Sequence, residues 1–510
     1  MSNIRGTLQV VPDLFDVFTE MARRYPDRPA IVHRGRALTY RRLHESANAL
    51  ATRLGTDPGT VAVPAVHTPE TVVALLGVLA AGGAYCPVDP AFPGPRQEAM
   101  TTAAECRSAV VTGTALSPQV GLPSVELPQA PEFPGDPPKA GSAQRAESAA
   151  EDAGERPAYI LFTSGSTGQP KPVVTPRRAL AATVPSLREL FGLTPDDRVL
   201  QFASLNWDTC FEEILPTLAT GAALVVDPDA HSGSFPRFLR MVEREGVTVL
   251  DLPTAFWHEL VLHLAEDGLT LPECVRLLVI GGEAASPARL ADWSRLRTGR
   301  IRLLNTYGST ETTMITHAVD LHGPLAPGRT WDRTARAPIG RALPHVRERI
   351  GDDGELMIGG PAVALGYRGL PEATAARFTT VDGERWYRTG DRVAAGDGGV
   401  LTHEGRLDGE VKIRGVRVDP AEVEAHLAAH PGVSAAAVTA AALAGRSVLV
   451  AYVVPRPDAD GTTLDTELLA HLRERVPGHL VPSRVTVVPR LVLTASGKVD
   501  RAGCHRRYAT

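Results

Sequence analysis

The pattern of apolar and polar positions predicts a large unit in which strands alternate with helices. Short β-branched or leucine-rich runs occur at residues 199–203, 222–226, 248–252 and 277–280, each of a length suited to a buried strand. Residues with helical spacing of apolar positions separate these runs, for example at 235–245. This alternation indicates an α/β fold with mainly parallel sheets covered by helices.

Further helices are predicted near the N-terminus. Apolar residues recur at helical spacing over residues 14–25, and a second helix is predicted to begin after Thr39, which can act as its N-cap. Residues 71–83 form a nearly continuous apolar segment, which predicts a packed helix that ends at Gly82–Gly83.

The pattern of predicted strands and helices changes near Gly405. Beyond it the pattern predicts strands at 411–413, 435–439, 448–454 and 485–488 and helices at 420–429 and 466–475. These elements suit a compact α+β unit of domain size. We therefore predict a large N-terminal domain and a small α+β C-terminal domain that begins near Gly405. Residues 117–157, rich in Pro, Ala, Glu and Gly, are predicted to be a surface excursion.

Composition and charge narrow the possible functions. A chain of 510 residues is too long for one core, and its net charge of −5 argues against a protein that binds nucleic acid through phosphate contacts. No apolar run approaches the length of a membrane span, and residues 1–10 lack a signal-peptide pattern. Five scattered cysteines without a C-x-x-C pair favour a cytoplasmic protein with free thiols and make a zinc site improbable.

Residues 158–171 carry the first chemical signal. The apolar run 159–162 predicts a strand that leads into a loop of hydroxyl residues and glycines: Thr163, Ser164, Gly165, Ser166, Thr167 and Gly168. Hydroxyls and successive N–H groups suit phosphate oxygens, and Lys171 adds a positive charge. The loop is not a Walker motif, because Lys171 lies between two prolines. By itself it is a weak nucleotide signal, and a flexible Ser/Gly turn is the alternative.

Other stretches follow in a fixed order: 305–311 after a strand predicted at 301–304, then 354–356, 387–391, 405–408, 411–415 and 496–501. Together with 158–171, they resemble the core motifs of the adenylate-forming superfamily, in particular the adenylation domains of nonribosomal peptide synthetases. The resemblance runs from about Leu38 to Arg501. Many motifs in the family's order are far more specific than any single one.

The resemblance implies ATP and Mg²⁺ as cofactors and assigns roles to individual residues. In the family, the motif tyrosine, here Tyr307, stacks on adenine, Asn305 contacts its edge, and Asp391 binds the ribose hydroxyls. Thr310 and Glu311 hold Mg²⁺ with the phosphates, and Glu311 is the predicted metal ligand. Lys498 is the mobile catalytic lysine. Asp408 is the hinge that joins the N-terminal domain, residues 1–407, to a mobile C-terminal domain, residues 408–510. The remaining residues implied to contact ATP are Gly282, Glu283, Ala284, His403 and Arg406, beside the loop 163–168 and Lys171.

The implied reaction has two steps. A substrate carboxylate attacks the α-phosphorus of ATP, and pyrophosphate leaves; positioning and charge neutralisation carry most of the catalysis. The small domain then rotates and presents a face near Gly415 to a pantetheine thiol, which takes the acyl group from AMP. The motifs of a carrier or condensation domain are not seen beside this region, so we expect a free-standing enzyme that loads a separate carrier protein.

Pocket residues carried over from the family suggest the substrate. Asp208 occupies the position that binds an amino group, which favours an amino acid. The rest of the predicted pocket is Thr209, Glu212, Asp251, Val279, Gly281, Thr306, Met314 and Ile315, closed by Lys498. Buried carboxylates without a partner are costly, so Glu212 and Asp251 favour a cationic substrate side chain. The alternative is that both form salt bridges with protein arginines.

The pocket residues alone support a basic amino acid as the substrate. The ordered pocket set resembles that of β-lysine-activating domains of streptothricin-type antibiotic pathways, so β-lysine is the leading candidate, with lysine and ornithine as alternatives. Two other functions remain open: an acyl-CoA or other acid ligase of the same superfamily, and a catalytically silent module that only holds a carrier protein. Whether a small MbtH-like helper protein is required is also open.

Overall fold

The computed structural model describes residues 13–128, 153–164, 170–326, 331, 336–408, 410–413, 415–443, 446–456, 463–493 and 499–509. Three predictions fall outside these residues: most of the surface excursion, the loop positions Gly165, Ser166, Thr167 and Gly168, and the catalytic Lys498. Among the described helices, none combines the length and the apolar character needed to span a bilayer.

Strands and helices alternate from the first described residues onwards. The first group of elements is α1 (Leu14–Arg24), β1 (Pro29–His33), β2 (Arg36–Thr39), α2 (Tyr40–Leu54), β3 (Thr60–Pro64), α3 (Pro69–Ala80), β4 (Ala84–Val88), α4 (Gly94–Ala103), β5 (Cys106–Val111), β6 (Ser124–Glu126), β7 (Pro157–Thr163), β8 (Lys171–Pro176) and α5 (Arg177–Phe191). The second group is β9 (Arg198–Leu200), α6 (Thr209–Leu218), β10 (Ala223–Val226), α7 (Phe235–Arg244), β11 (Val249–Pro253), α8 (Thr254–Glu266), β12 (Leu277–Gly281), α9 (Pro287–Trp293), β13 (Arg302–Gly308), β14 (Ile315–His322) and β15 (Arg341–Ala342).

Later elements are mainly strands. They are β16 (Arg347–Ile350), β17 (Glu355–Gly359), β18 (Gly366–Tyr367), α10 (Pro371–Arg377), β19 (Phe378–Val381), β20 (Glu384–Ala395) and β21 (Leu401–Arg406). The C-terminal elements are β22 (Val411–Ile413), β23 (Val416–Val418), α11 (Pro420–Ala428), β24 (Val433–Leu443), β25 (Arg446–Pro455), α12 (Leu464–Arg473), β26 (Arg484–Val487) and α13 (Arg501–Tyr508).

Two large sheets form the main body of the described chain. One has nine strands in the order β15-β14-β13-β12-β11-β9-β10-β1-β2, and the adjacent strands from β13 through β1 pair in parallel. The other has seven strands in the order β18-β8-β7-β4-β3-β5-β6, parallel from β7 to β6. A five-stranded antiparallel sheet of β16, β17, β19, β20 and β21 follows. The predicted α/β class with mainly parallel sheets is confirmed.

The main core lies between the two large sheets. It joins apolar residues of α1, α2, α3, α5 and α6 to strands of both sheets, including Val63, Tyr159 and Val279. A second core covers the opposite face of the nine-stranded sheet with α7, α8 and α9. Helix α3 is buried almost throughout, which explains its continuous apolar sequence.

Local signals explain where several helices begin. Thr39 Oγ1 accepts a hydrogen bond from the N–H of Arg42 at 3.3 Å, so the predicted N-cap of α2 is confirmed. The adjacent Tyr40 is fully buried, and its hydroxyl donates to the carbonyl of Ala222 at 2.7 Å. This bond ties α2 to the start of β10.

The C-terminal elements pack around their own core. Strands β24, β25 and β26 form one sheet, and β22 with β23 forms an antiparallel hairpin. Apolar residues of α11 and α12, including Val423 and Leu468, pack against this sheet. This is the small α+β unit expected from the sequence, while the boundary after residue 407 stays a prediction.

The structure differs from the sequence-based expectation at two places. The predicted surface excursion contains a short strand, β6, that pairs in parallel with β5. The strand predicted at 301–304 is longer than expected, because residues 305–308 continue β13 and pair with β14.

Candidate active site

A cavity of about 400 Å³ lies where the carboxyl ends of the parallel strands meet the C-terminal hairpin β22–β23. Its lining includes Thr163 at the end of β7, Asp251 in β11, Gly281 at the end of β12, and Val416 and Arg417 of β23. Ligands of open α/β sheets bind at this edge, because loops and helix starts converge there. The cavity is therefore the candidate active site.

Most of the predicted substrate pocket is brought together in this cavity. Its lining includes Asp208, Thr209, Glu212, Asp251, Gly281, Thr306, Met314 and Ile315. Val279, which was predicted with them, is fully buried in the core between the sheets and does not line the cavity. Lys498, the predicted closing residue, lies outside the described residues.

Glu212 and Asp251 form a buried acid pair. Their carboxyl groups share a hydrogen bond, and burial raises both pKa values. The charge of Asp251 raises the pKa of Glu212 further, whereas the hydrogen bond with Glu212 lowers the pKa of Asp251. Asp251 Oδ2 is buried and has no hydrogen-bond partner among the described residues. Burial is the largest cause of both pKa shifts, and within the described residues neither carboxyl forms an ion pair with an arginine, lysine or histidine. The pair can therefore bind a positively charged group of a ligand.

Asp208 is anchored at the start of α6. Its Oδ2 accepts a hydrogen bond from the N–H of Met314 at 2.9 Å. Burial raises the pKa of Asp208 to about 6, although the Met314 N–H opposes this shift. Thr313 and Met314 adopt left-handed φ angles of 59° and 64°, which non-glycine residues rarely do. This unusual backbone aims an N–H at the carboxylate and fixes its orientation.

The carboxylate of Asp391 is held by three side chains. Its Oδ2 accepts from the Tyr307 hydroxyl at 2.7 Å, and its Oδ1 from His403 Nε2 at 2.9 Å and Arg406 Nη1 at 3.0 Å. Burial opposes ionisation, but these partners and Lys412 hold the pKa of Asp391 well below its usual range. An ionised carboxylate is the acceptor that two ribose hydroxyls require.

Asn305 and Thr163 each have a buried polar side-chain atom without a hydrogen-bond partner. Asn305 Nδ2 donates to the carbonyl of Pro338 at 2.7 Å, while its Oδ1 is buried without a partner. A buried acceptor of this kind suits the exocyclic amine of a base. Thr163 Oγ1, at the end of β7, is also buried without a partner. Both observations fit a nucleotide.

Glu311 is a fully buried acid in the cavity lining. Its Oε1 accepts from the Tyr367 hydroxyl at 2.8 Å, and its Oε2 lies 3.3 Å from Arg417 Nη1. Burial alone would raise the pKa of Glu311, but Arg417, Tyr367 and Lys171 outweigh it and lower the pKa. Lys171 Nζ lies 5.4 Å from the Tyr367 ring centroid and is not part of the cavity lining.

The donor set is compatible with Mg²⁺. No group of three or more acidic, histidine or cysteine side chains among the described residues could hold a metal by itself. Mg²⁺ commonly binds through one or two carboxylates and substrate phosphates instead, and Glu311 in the cavity lining can provide such a carboxylate. The guanidinium group of Arg417 already shows that a cation fits against Glu311.

Hairpin β22–β23 contributes residues that sequence reasoning missed. Lys412 Nζ lies 5.7 Å from the ring centroid of Tyr307, and the N–H of Gly415 donates to Glu283 Oε1 at 2.5 Å. Arg417 contacts Glu311 as described. Lys412 lies within a stretch quoted for the family resemblance and Arg417 two residues beyond it. The alternation Val416–Arg417–Val418 was the available signal that one polar side chain faces away from a buried strand.

Most of the other residues predicted to bind ATP do not line the cavity. Gly282 lines it, and a side chain there would meet the backbone of Gly415 at 3.4 Å. Glu283, Ala284, Asn305, Tyr307 and His403 are not part of the lining. Asp408 accepts hydrogen bonds from both Arg406 and Arg377, which places the predicted hinge residue in a charged cluster.

A parallel-sheet body, a small C-terminal unit and a cavity with nucleotide-compatible groups define an adenylate-forming ligase. The chain belongs to the family of AMP-binding enzymes: the family model "AMP-binding enzyme" matches residues 18–368, and "AMP-binding enzyme C-terminal domain" matches residues 422–498. The resemblance noted in the sequence is thereby confirmed at the level of the family.

Relatives support the same class. The chain is 43% identical over 484 residues to the isonitrile lipopeptide synthase of Streptomyces coeruleorubidus, covering 92% of this chain and 32% of that protein. It is 34% identical over 505 residues to phenyloxazoline synthase MbtB of Mycobacterium sp. (strain MCS), covering 96% and 41%. The chain thus spans less than half the length of these relatives.

Solved structures share the whole architecture. The artificially fused adenylation–PCP di-domain NpsA-ThdA from Klebsiella oxytoca superposes with a TM-score of 0.78 at 25% identity, covering 93% of each chain. The amide bond synthetase McbA from Marinactinospora thermotolerans superposes with a TM-score of 0.82 at 27% identity, covering 98% of this chain and 100% of that one.

Proposed function

We propose that the protein activates a basic amino acid as its aminoacyl-adenylate and transfers it to the phosphopantetheine thiol of a carrier protein in nonribosomal peptide synthesis. The observation that carries the substrate class is the acid pair of Glu212 and Asp251. Both carboxyls are buried in the cavity, and the described chain provides no cation for them. A substrate ammonium group would supply the missing charge.

The arrangement of acids supports an amino acid with two amino groups. Asp208 would bind the amino group near the reacting carboxylate, and the acid pair the amino group at the far end. Gly281 keeps the pocket deep, because a side chain there would come within 2.5 Å of Thr306 Oγ1. β-Lysine is our first choice on the ordered pocket residues, and lysine and ornithine are the alternatives.

In the first step, the protein's work is to position the reactants and balance charge. Asn305 and Tyr307 would orient adenine, Asp391 the ribose, and Thr163, Ser164 and Lys171 the phosphates. Glu311 and Thr310 would hold Mg²⁺, which supplies positive charge to the phosphate oxygens when bound. The substrate carboxylate would then form a bond to the α-phosphorus as the bond to pyrophosphate breaks, with Lys498 the proposed catalytic cation.

In the second step, the carrier thiol would attack the carbonyl of the adenylate and AMP would leave. Residues of the C-terminal unit already line the cavity, including Gly415, Glu422 and His479. Arg96 and Glu422 form an ion pair at 2.9 Å between the two units, with side chains 10% and 0% exposed. These contacts support a domain arrangement suited to thiol transfer, with Asp408 as hinge and a boundary near residue 407.

Neighbours with carrier domains support a carrier protein as the acceptor. The NpsA-ThdA structure is named as an adenylation–PCP di-domain. A second neighbour, PA1221, is described as an NRPS protein containing adenylation and PCP domains, with a TM-score of 0.80 at 27% identity. The need for an MbtH-like helper remains part of the proposal to be tested. The five cysteines are free, which supports a cytoplasmic location.

The decisive experiment is amino-acid-dependent exchange between ATP and pyrophosphate. β-Lysine, lysine, ornithine and arginine are compared with norleucine and an aryl acid, with and without a co-expressed helper protein. Exchange with a diamino acid well above norleucine supports the proposal, whereas exchange confined to neutral or aryl acids contradicts the assigned role of the acid pair. Free CoA and a phosphopantetheinylated carrier are then offered as acceptors, since an acyl-CoA ligase would use the former.

A further inference from the structure

Two histidines outside the predicted pocket set also line the cavity. His67 lies between β3 and α3, and His231 lies between β10 and α7. The centroids of their rings are 4.3 Å apart, so the two side chains form one section of the cavity wall. The groups bonded to these rings determine which ring nitrogens carry hydrogens.

Gln201 extends β9 by one residue and has a fixed amide orientation. Its backbone N–H donates to the carbonyl of Val225 in β10 at 2.8 Å. Its side-chain Nε2 lies 2.7 Å from the carbonyl of Ala203 and 3.1 Å from Glu213 Oε2. A carbonyl can only accept, so this atom is the amide nitrogen and Oε1 is the acceptor. His67 Nδ1 lies 2.5 Å from Oε1 and must therefore donate to it.

His67 is consequently a neutral ring with a lone pair on Nε2. Burial and the nearby His231 lower the pKa of His67 to about 4, so the ring is uncharged at neutral pH. With its hydrogen on Nδ1, the ring has an acceptor at Nε2, and no described residue donates to this atom. A neutral imidazole can accept a hydrogen bond from a cation without repelling it.

His231 is anchored beside this ring. Its Nε2 donates to the carbonyl of Phe202 at 2.9 Å. The same imidazole stacks on the ring of Phe202, with centroids 5.0 Å apart and planes inclined by 20°. His231 thus has a fixed position while its ring contacts that of His67.

The strand register brings His67 close to the acid pair. Strands β9 and β11 pair in parallel, with Val199 opposite Val249. Gln201 and Asp251 each follow two positions later, so they come at the same level and, with the strand period of two, on the same face of the sheet. Because His67 is bonded to Gln201, only the side chain of Gln201 separates it from the level of Asp251.

We propose that His67 is a specificity-determining residue that accepts, through Nε2, a hydrogen bond from the terminal ammonium group of the substrate. A primary ammonium group has three N–H donors. The acid pair offers the unpartnered Asp251 Oδ2, and His67 adds an acceptor that bears no charge. Together they favour a primary amine over a neutral side chain and over an alkylated amine. This inference rests on the proposed function, because it concerns how a basic amino acid is recognised.

The test uses a substitution that separates the two nitrogens of the ring. In His67→Asn, the amide nitrogen can keep the hydrogen bond to Gln201, whereas the acceptor at the position of Nε2 is lost. ATP–pyrophosphate exchange is measured with lysine, ornithine and β-lysine and with the analogue of each that carries a dimethylated terminal amine. For the best basic substrate, kcat/KM should fall about tenfold or more, as expected when a hydrogen bond to a charged group is lost.

The dimethyl analogue distinguishes a lost hydrogen bond from a general disturbance of the pocket. It keeps the positive charge but has a single N–H, so the analogue and the substitution remove the same interaction and their effects should not add. His67→Asn should therefore change kcat/KM for the analogue by about twofold at most. Where an analogue is not turned over, its inhibition constant against the parent amino acid is compared instead.

His33→Asn is the matched control. His33 Nδ1 also bonds to a protein acceptor, the carbonyl of Val226 at 2.8 Å, but His33 does not line the cavity. This variant should keep every kcat/KM within about twofold of the wild-type value. His67→Gln retains an acceptor at the distance of Nε2 and should keep more activity with the basic substrate than His67→Asn; equal losses in these two variants would contradict the inference.

Two further results would overturn the inference and leave the proposed function intact. One is a wild-type preference for a basic amino acid that His67→Asn leaves unchanged, and the other is an equal loss for the basic substrate and its dimethyl analogue. If the wild-type protein shows no preference for a basic amino acid, the proposed function fails and this inference fails with it. If His67→Asn does not fold, His67→Leu, which also lacks an acceptor, takes its place in the same comparison.

Discussion

Removing the charge of the acid pair should reverse the selectivity of the pocket. In the free protein the shared hydrogen bond and the raised pKa values mean that Glu212 and Asp251 together hold a proton. A bound ammonium group would form charge-assisted hydrogen bonds with the pair, one of them to the unpartnered Asp251 Oδ2. The negative charge that matters is thus shared by two side chains, and single and double variants should differ.

The expected sizes follow from this sharing. Glu212→Gln leaves the charge on Asp251 and removes one hydrogen bond to a charged group, worth about 1.5–3 kcal/mol, so kcat/KM for the basic substrate should fall about 10- to 150-fold. The double variant Glu212→Gln with Asp251→Asn leaves no charge. Its loss should reach about 3 kcal/mol or more, at least about 100-fold, while norleucine should improve.

ATP–pyrophosphate exchange with each amino acid at saturating ATP measures these ratios. Asp227→Asn is a suitable control, because Asp227 is a buried carboxylate paired with Arg244 outside the cavity, at 2.7 Å. It should leave the preference for basic over neutral amino acids unchanged. A double pocket variant that still prefers lysine or β-lysine over norleucine by the wild-type factor would refute the role assigned to the pair.

Three further predictions follow from the same site. Because burial raises the pKa of the acid pair, the folded protein binds more protons than the unfolded chain above the ordinary carboxyl pKa of about 4, so the pair's contribution to stability decreases as pH rises. Between pH 6 and 8 without substrate, the melting temperature of the double variant should therefore fall less than that of the wild type. An equal fall in both proteins would contradict the assignment. Gly281→Ala would bring a methyl group within 2.5 Å of Thr306 Oγ1 and should lower kcat/KM for lysine about tenfold or more, with a smaller loss for a shorter diamino acid; equal losses would argue against a deep pocket. Lys498→Ala should reduce adenylate formation about 100-fold or more at an unchanged melting temperature, measured by single-turnover release of pyrophosphate, and full activity would exclude Lys498 as the catalytic cation.

The elements of the fold that the sequence predicted well are those with a local signal. Strands β9 to β12 are short apolar runs that need burial on both faces, and Thr39 caps α2 through a hydrogen bond to a residue three positions away. The strand predicted at 301–304 was too short by four residues, because the polar residues at 305–308 break the apolar run. Their polarity serves the cavity, where Thr306 lines the pocket and Tyr307 bonds to Asp391.

The candidate site could be predicted from the sequence where its residues belong to a motif. It could not be predicted where it depends on contacts between residues far apart in the chain. The acid pair was visible as two carboxyls at family pocket positions, but only the structure shows that no described arginine neutralises them. Val279 was carried over by position and instead packs in the core, since inward and outward faces alternate along β12. The contact between Arg417 and Glu311 joins residues 106 positions apart, and no local pattern encodes such a pairing.

The two ends of the cavity are built from different parts of the chain, and this has an evolutionary consequence. Glu212 on α6 and Asp251 on β11 form the end that would select the amino acid, whereas Asp391 and Glu311 lie on other elements and form the end suited to the nucleotide. Replacement of the first pair changes neither the hydrogen bonds of Asp391 nor those of Glu311. A duplicated gene could therefore acquire a new building block through a few pocket substitutions while its energy-coupling chemistry stays intact.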